Sequence, residues 1–192
     1  MLVGFHGYGE GADTHLQRLQ EIPGSDRWLV VSIQGLHRFY QRRANEVIAS
    51  WMTRQDRDLA IADNVAYVGA VLGEVAREWA AAPGIVFAGF SQGVAMAFRA
   101  AAGSPMPVAG VIAAGGDVPR ELDRATIARI KAALICHGTD DDWYTATKFA
   151  DDVRRLGEAG VRVQPLEFTG GHVWSSEVAG AAGAFLEERR HG

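Results

Sequence analysis

The chain has 192 residues, 48% of them hydrophobic and 22% charged, and a formal net charge of −4. A chain of this length suits one domain, spanning 1–192, with a sizeable buried core, and the composition is that of an ordinary soluble globular protein. The slightly acidic net charge gives no reason to expect nucleic acid or an anionic membrane as a partner.

The single cysteine, Cys136, sits inside an apolar run, so an intramolecular disulfide is excluded and a buried structural thiol is expected. Residues 1–7 lack the cationic start and long apolar stretch of a signal peptide. No apolar stretch is expected to reach the length of a membrane span. The expectation is a cytoplasmic protein with no stable membrane insertion.

In chain order, near-continuous apolar runs fall at 2–5, 29–33, 85–90, 108–114 and 133–136. Runs of this kind suit central parallel strands buried on both faces. A sixth run, 161–168, carries Val161 and Val163 in one phase and Leu166 and Phe168 in the other, with Pro165 between them. That pattern predicts an edge strand with a bulge.

Helical patterns lie between the runs. From 58 to 79, Ile61, Val65, Val68, Leu72, Val75 and Trp79 form one stripe, and Pro83-Gly84 closes the connection. The segment after Ser91 is rich in alanine, so its helix can lie close to the sheet. A helix over 145–158 turns Phe149, Val153 and Leu156 inward, with Gly160 near its end. The last helix spans about 176–190, with Ser175 or Ser176 as N-cap and Val178, Ala181, Ala182, Phe185 and Leu186 on one face. The sum is an α/β chain: a doubly wound, mostly parallel sheet of about six strands with helices on both faces.

Residues 34–57 break this economy. They show no strong periodicity and contain Arg38, Phe39, Tyr40, Arg42, Arg43 and Trp51, which reads either as a wall or lid of a site or as a solvated basic loop. Residues 117–131 are a second candidate wall, with Leu122, Ile127 and Ile130 marking a short helix.

The chemistry centres on Gly89-Phe90-Ser91-Gln92-Gly93, a strand-to-helix turn of the Gly-x-Ser-x-Gly type. Such a turn holds a serine hydroxyl above the end of a parallel sheet, and its glycines allow strand and helix to approach closely. A serine hydroxyl is a poor nucleophile near neutral pH and needs a base. After Ser91 come His137, His172 and His191. His191 lies in a polar tail and His137 ends a strand, whereas Gly170-Gly171 lets a loop bring His172 back over the sheet. His172 is therefore the candidate base.

The acid is expected after a late strand, where Asp140, Asp141 and Asp142 follow one another, with Asp117 a lesser rival. One of the three would orient His172 through its other ring nitrogen. No ligand spacing supports a metal site. Backbone N–H groups of Gln92, after the serine, and of Tyr8, in the early loop His6-Gly7-Tyr8-Gly9, are candidates for an oxyanion hole. His6 reads as structural support for that loop.

Together, His6-Gly7-Tyr8-Gly9, Gly89-Phe90-Ser91-Gln92-Gly93, Gly115-Gly116-Asp117-Val118-Pro119, His137-Gly138-Thr139-Asp140-Asp141 and Gly171-His172 resemble the α/β-hydrolase superfamily. Within it they look most like the phospholipase/carboxylesterase group that includes acyl-protein thioesterases. The resemblance selects Asp141 as the acid. It implies a minimal α/β-hydrolase fold without a large cap, and hydrolysis of a small-molecule ester or thioester with no cofactor. Trp143 and Tyr144 stand where such enzymes commonly carry proline or small aliphatic residues. The stretch from Trp51 to Arg54 lacks an acidic residue that often occurs there. Trp51, Trp143, Tyr144 and Trp174 are the candidate pocket residues, and a homodimer is a fair expectation. The alternatives are a silent ligand-binding protein on the same scaffold and an acyltransferase.

Overall fold

The structure is a computed structural model that describes residues 1–41, 45–79 and 84–190; Arg42, Arg43, Pro83 and His191 lie outside the described residues. Six strands form one sheet: β1 (Leu2–Phe5), β2 (Val30–Ile33), β5 (Ile85–Phe90), β6 (Val108–Ala114), β7 (Ala132–Gly138) and β8 (Arg162–Phe168). Their order is β2-β1-β5-β6-β7-β8, and every neighbouring pair is parallel.

Alternate residues along the strands feed two cores. Val3, Phe5, Phe87, Val111, Ala113 and Ile135 face one side. That side is covered by α2 (Arg57–Glu78), α3 (Gln92–Gly103), the short α4 (Arg124–Ile127) and α5 (Ala146–Glu158). Leu2, Val86, Ala88, Ile112, Leu134 and Cys136 face the other side, under α1 (Ala12–Gln20) and α6 (Ser176–Glu187). Burial on both faces is what makes these strands read as continuous apolar runs. It also pushes the Cys136 thiol up to about 12, as an inert structural thiol requires.

Four expectations are corrected. First, β8 is an edge strand, but its register with β7 runs without interruption from Ala132↔Arg162 to Gly138↔Phe168. Val163 packs on one core, and Leu166 and Phe168 on the other. The two phases are the two faces of a regular strand, and the register shift lies instead at Ile85/Val86.

Second, residues 34–57 hold an antiparallel hairpin, β3 (His37–Tyr40) with β4 (Val47–Ser50). All of β3 is exposed, so no alternation of apolar and polar residues marked it. Third, Trp79 stands exposed beyond the end of α2, whose buried face is Ala60, Asn64, Val68 and Leu72.

Fourth, α2 is long and apolar enough to cross a membrane by length and composition, with a mean hydropathy of 1.4 over its best window. Here it packs beside α3, and buried Asn64 donates to the Trp51 carbonyl at 2.8 Å and the Ala60 carbonyl at 2.7 Å.

Helix α1 meets β1 through His15, which is fully buried. Its Nε2–H donates to the Ala88 carbonyl (3.3 Å), while its Nδ1 has no partner. Burial, with the Arg18 charge nearby, pushes His15 down to about 3. The unfolded chain therefore binds a proton that the folded one refuses between about pH 6.5 and 3. His15 should support stability fully above that window and progressively less as pH falls through it. A His15→Gln variant should show a flatter pH dependence of its urea midpoint over the same range; an unchanged slope would refute the assignment.

Candidate active site

The strand order reverses between β1 and β5, and the carboxyl ends of those two strands form the crevice where ligands bind in open α/β sheets. Ser91 sits there with φ 53° and ψ −120°, a conformation that non-glycine residues rarely adopt. Its N–H donates to the Ala114 carbonyl at 2.9 Å. A Cβ on Gly93 would lie 2.0 Å from the Phe5 oxygen, and one on Gly116 would lie 2.3 Å from the Ser91 oxygen. Bare backbone on both flanks is thus what lets the turn close.

The Ser91 hydroxyl donates to His172 Nε2 at 2.8 Å, and His172 Nδ1–H donates to Asp141 Oδ2 at 2.7 Å. Asp141 Oδ1 accepts the N–H groups of Trp143 (2.8 Å) and Tyr144 (2.9 Å). Burial opposes ionisation of Asp141, but these N–H groups and His172 outweigh it and hold the carboxyl below the usual range. His172 and Asp141 form an ion pair whenever the imidazole is protonated.

The competing acids line the same cavity, but among the described residues only Asp141 bonds to His172. Asp140 and Asp142 are exposed, and Asp117 pairs with Lys148 at 3.4 Å. His137 is buried, stacked on Phe149 at 5.2 Å, with Glu167 at 3.6 Å as its nearest acid.

The loop after β1 is held from several sides. His6 Nδ1–H donates to the Gly7 carbonyl (2.7 Å), and its Nε2 accepts the Gly35 N–H (3.0 Å). Glu10 accepts the Gly7 N–H (2.8 Å) and receives both arms of Arg18 at 2.7 Å. The Arg18 guanidinium lies 4.5 Å above the Phe90 ring, which in turn lies 5.2 Å from the His172 ring. Gly9 N–H donates to the Ala49 carbonyl, and the Ala49 N–H donates to the Glu10 carbonyl, each at 2.9 Å.

A cavity of about 960 Å³ opens above Ser91. Tyr8 and Gln92 both line it, together with Gly116, Asp117 and the segment Met52, Thr53, Arg54 and Arg57. Both candidate walls therefore contribute, although Arg38 does not line the cavity. Exposed Trp143 does line it.

The other three candidate pocket aromatics do not. Trp51 is 1% exposed; its Nε1–H donates to the His6 carbonyl (2.8 Å) and its ring packs on Phe5. Tyr144 is fully buried, with its hydroxyl on Asp152. Trp174 packs edge-on against His15, on the far side of the sheet. Each lies next to site residues in sequence while its ring turns into the core.

Sequence reasoning missed four polar residues: Glu10, Arg18, Asp152 and the Gln92 side chain. Gln92 Oε1 accepts from the Trp51 N–H (2.8 Å) and Nε2 donates to the Met52 carbonyl (3.0 Å), clamping the β4–α2 connection to the serine turn.

An α/β hydrolase of the serine type is the class that this fold and this constellation define. The sequence profile of the phospholipase/carboxylesterase family matches residues 1–179. The chain belongs to that family, and it is a hydrolase of the esterase and thioesterase kind. Among solved structures it is similar to a carboxylesterase from Mesorhizobium loti, with TM-score 0.78 and 20% identity, covering 97% of this chain and 87% of that one. Esterase PE8 gives TM-score 0.73 and 25% identity over 98% of this chain and 91% of that one. Acyl-protein thioesterase 2 from Zea mays gives 0.72 and 18% over 98% and 92%. No curated protein sequence matches the chain at a significant level.

Proposed function

We propose that Ser91 is the nucleophile of a carboxylic ester or thioester hydrolase, with His172 as general base and Asp141 as the acid that orients it. The observation that carries this reading is the unbroken hydrogen-bond chain Ser91–His172–Asp141, with links of 2.8 and 2.7 Å.

Ser91 Oγ attacks the substrate carbonyl while His172 Nε2 takes its proton. The Asp141 carboxylate favours the Nδ1–H tautomer and stabilises the imidazolium that forms. The N–H groups of Tyr8 and Gln92 receive the oxyanion. His172 then gives its proton to the departing alkoxide or thiolate, leaving an acyl-enzyme, and a water activated by the same imidazole hydrolyses the acyl group. None of these steps calls on a cofactor. Met52, Ala95 and Trp143 supply the apolar lining for a small-molecule acyl or leaving group.

A fluorophosphonate probe should form one covalent adduct, located on Ser91 by peptide mass spectrometry and prevented by Ser91→Ala. An intact protein carrying no adduct would favour the ligand-binding alternative. Assays of matched esters and thioesters of increasing acyl length would then rank the substrates.

A further inference from the structure

Helix α5 carries a buried carboxylate that the reaction itself does not use. Asp152 is 4% exposed and lies on the same helical face as Phe149 and Leu156. A packed helix face needs no ionisable group there, and burying one is costly unless its partners are well placed.

Its partners come from both sides of the site. Asp152 Oδ2 accepts the Val118 N–H at 3.0 Å and the Tyr144 hydroxyl at 3.1 Å. Its other oxygen lies 3.5 Å from Arg155. Arg155 donates to the carbonyls of Val118 (3.1 Å), Pro119 (3.3 Å) and Leu122 (3.4 Å), so the two residues clasp one stretch of backbone by its N–H and its carbonyls.

That stretch follows directly on Gly115 and Gly116. A Cβ at Gly115 would lie 3.2 Å from His172 Cε1, so this segment backs the imidazole. Tyr144 closes the other turn, since its N–H donates to Asp141 Oδ1 at 2.9 Å.

We infer that Asp152 is a positioning residue: one of its oxygens holds both the turn that presents Asp141 and the wall behind the His172 ring. The inference rests on the reading of Ser91, His172 and Asp141 given above. Hydrogen bonds to a carboxylate are stronger and more directional than those to a neutral acceptor. Two such bonds on one oxygen couple the loop that follows β6 to the loop that follows β7. Burial, reinforced by the Asp117 charge, pushes the Asp152 carboxyl up to about 6, against the Val118 N–H, Tyr144 O–H and Arg155, which favour the carboxylate. It is thus ionised above about pH 6.

The test compares Asp152→Ala, Asp152→Asn and Tyr144→Phe on p-nitrophenyl butyrate, with kcat expressed per site titrated by a fluorophosphonate. Asp152→Ala and Tyr144→Phe should each lower kcat by about ten- to a hundredfold, the cost of a slightly misplaced catalytic group, with KM nearly unchanged. Their combination should be no worse than Asp152→Ala alone, because that variant already removes the bond that Tyr144→Phe breaks. Asp152→Asn keeps an oxygen that can accept both hydrogen bonds and should retain most of the rate.

The acid limb of the kcat profile should also move to lower pH in Asp152→Ala, because a loosened Asp141 stabilises the imidazolium less. A purely structural role would change the melting temperature and the titrated fraction, not kcat per site or that limb. If Asp152→Ala does not fold, Tyr144→Phe carries the test, since it keeps its ring and its N–H bond to Asp141. Wild-type kcat per site and an unmoved acid limb, with Ser91→Ala inactive, overturn the inference. An active Ser91→Ala instead overturns the underlying reading of the site, whatever Asp152 does.

Discussion

Replacing His172 with alanine is expected to lower kcat on the order of a million-fold while leaving KM within a small factor. The loss is this large because one ring performs two linked tasks. Nε2 is the acceptor for the Ser91 hydroxyl at 2.8 Å, and Nδ1 is the donor to Asp141 at 2.7 Å. Without the imidazole the hydroxyl has nowhere to send its proton. Asp141 keeps the two N–H groups on Oδ1 but faces Ser91 across a gap it cannot bridge. The cavity walls from Met52 to Arg57 do not touch the ring's role, so substrate binding should survive.

Residual catalysis would come from the remaining N–H donors and from substrate positioning. A double Ser91→Ala/His172→Ala variant should be no slower than either single one, because the residues act as a unit. Steady-state assays with titrated enzyme decide the matter: a His172→Ala rate within a hundredfold of wild type would sink the assignment of the base.

The second large effect falls on folding. Gly93→Ala should cost more than about 4 kcal/mol, the range reached when a substitution collides with something that cannot move. The added Cβ would lie 2.0 Å from the Phe5 oxygen and 2.6 Å from the His6 oxygen. Both are backbone atoms, held by the β1 ladder and by the loop that carries Tyr8. To make room, α3 must retreat from β1 and take Ser91 and Gln92 with it.

The comparison is Gly69→Ala, in the middle of α2, where an added Cβ meets nothing within 4 Å. There the change should stabilise by about 0.5–1 kcal/mol, the ordinary helical advantage of alanine. Urea unfolding of the two variants beside wild type tests the pair, and a wild-type midpoint for Gly93→Ala would contradict the packing described above.

The readable part of this chain is the part whose physics is local. Strands β1, β5, β6 and β7 are buried on both faces, so apart from His137 their sequences carry no polar side chain and need no knowledge of neighbours. Ser91 announces itself through flanking glycines. What stayed hidden depends on residues far apart in sequence. Three adjacent aspartates are chemically alike until Thr139 and Asp140 donate to the Phe168 and Gly170 carbonyls and so set which one turns inward.

The ring of Tyr144 could equally have pointed at substrate; its direction is set by Asp152, eight residues on. Asp152 did leave a trace, because it falls three residues after Phe149 and four before Leu156, on the buried face. An acidic residue within an apolar helical stripe is a signal worth reading. Glu10 left none, since its partner Arg18 lies on a different element and its other partner is a backbone N–H, that of Gly7.

The β3–β4 hairpin has a practical bearing on redesign. Ala49 is joined to Gly9 and Glu10, and the chain leaving β4 runs straight through Trp51 to the cavity wall at Met52 and Arg54. Anyone transplanting a different hairpin here to accept new substrates would, in the same operation, replace the outer anchor of the loop that bears Tyr8. If Tyr8 serves the oxyanion as proposed, substrate choice and turnover would change together, and libraries that vary the hairpin should vary residues 7–10 with it.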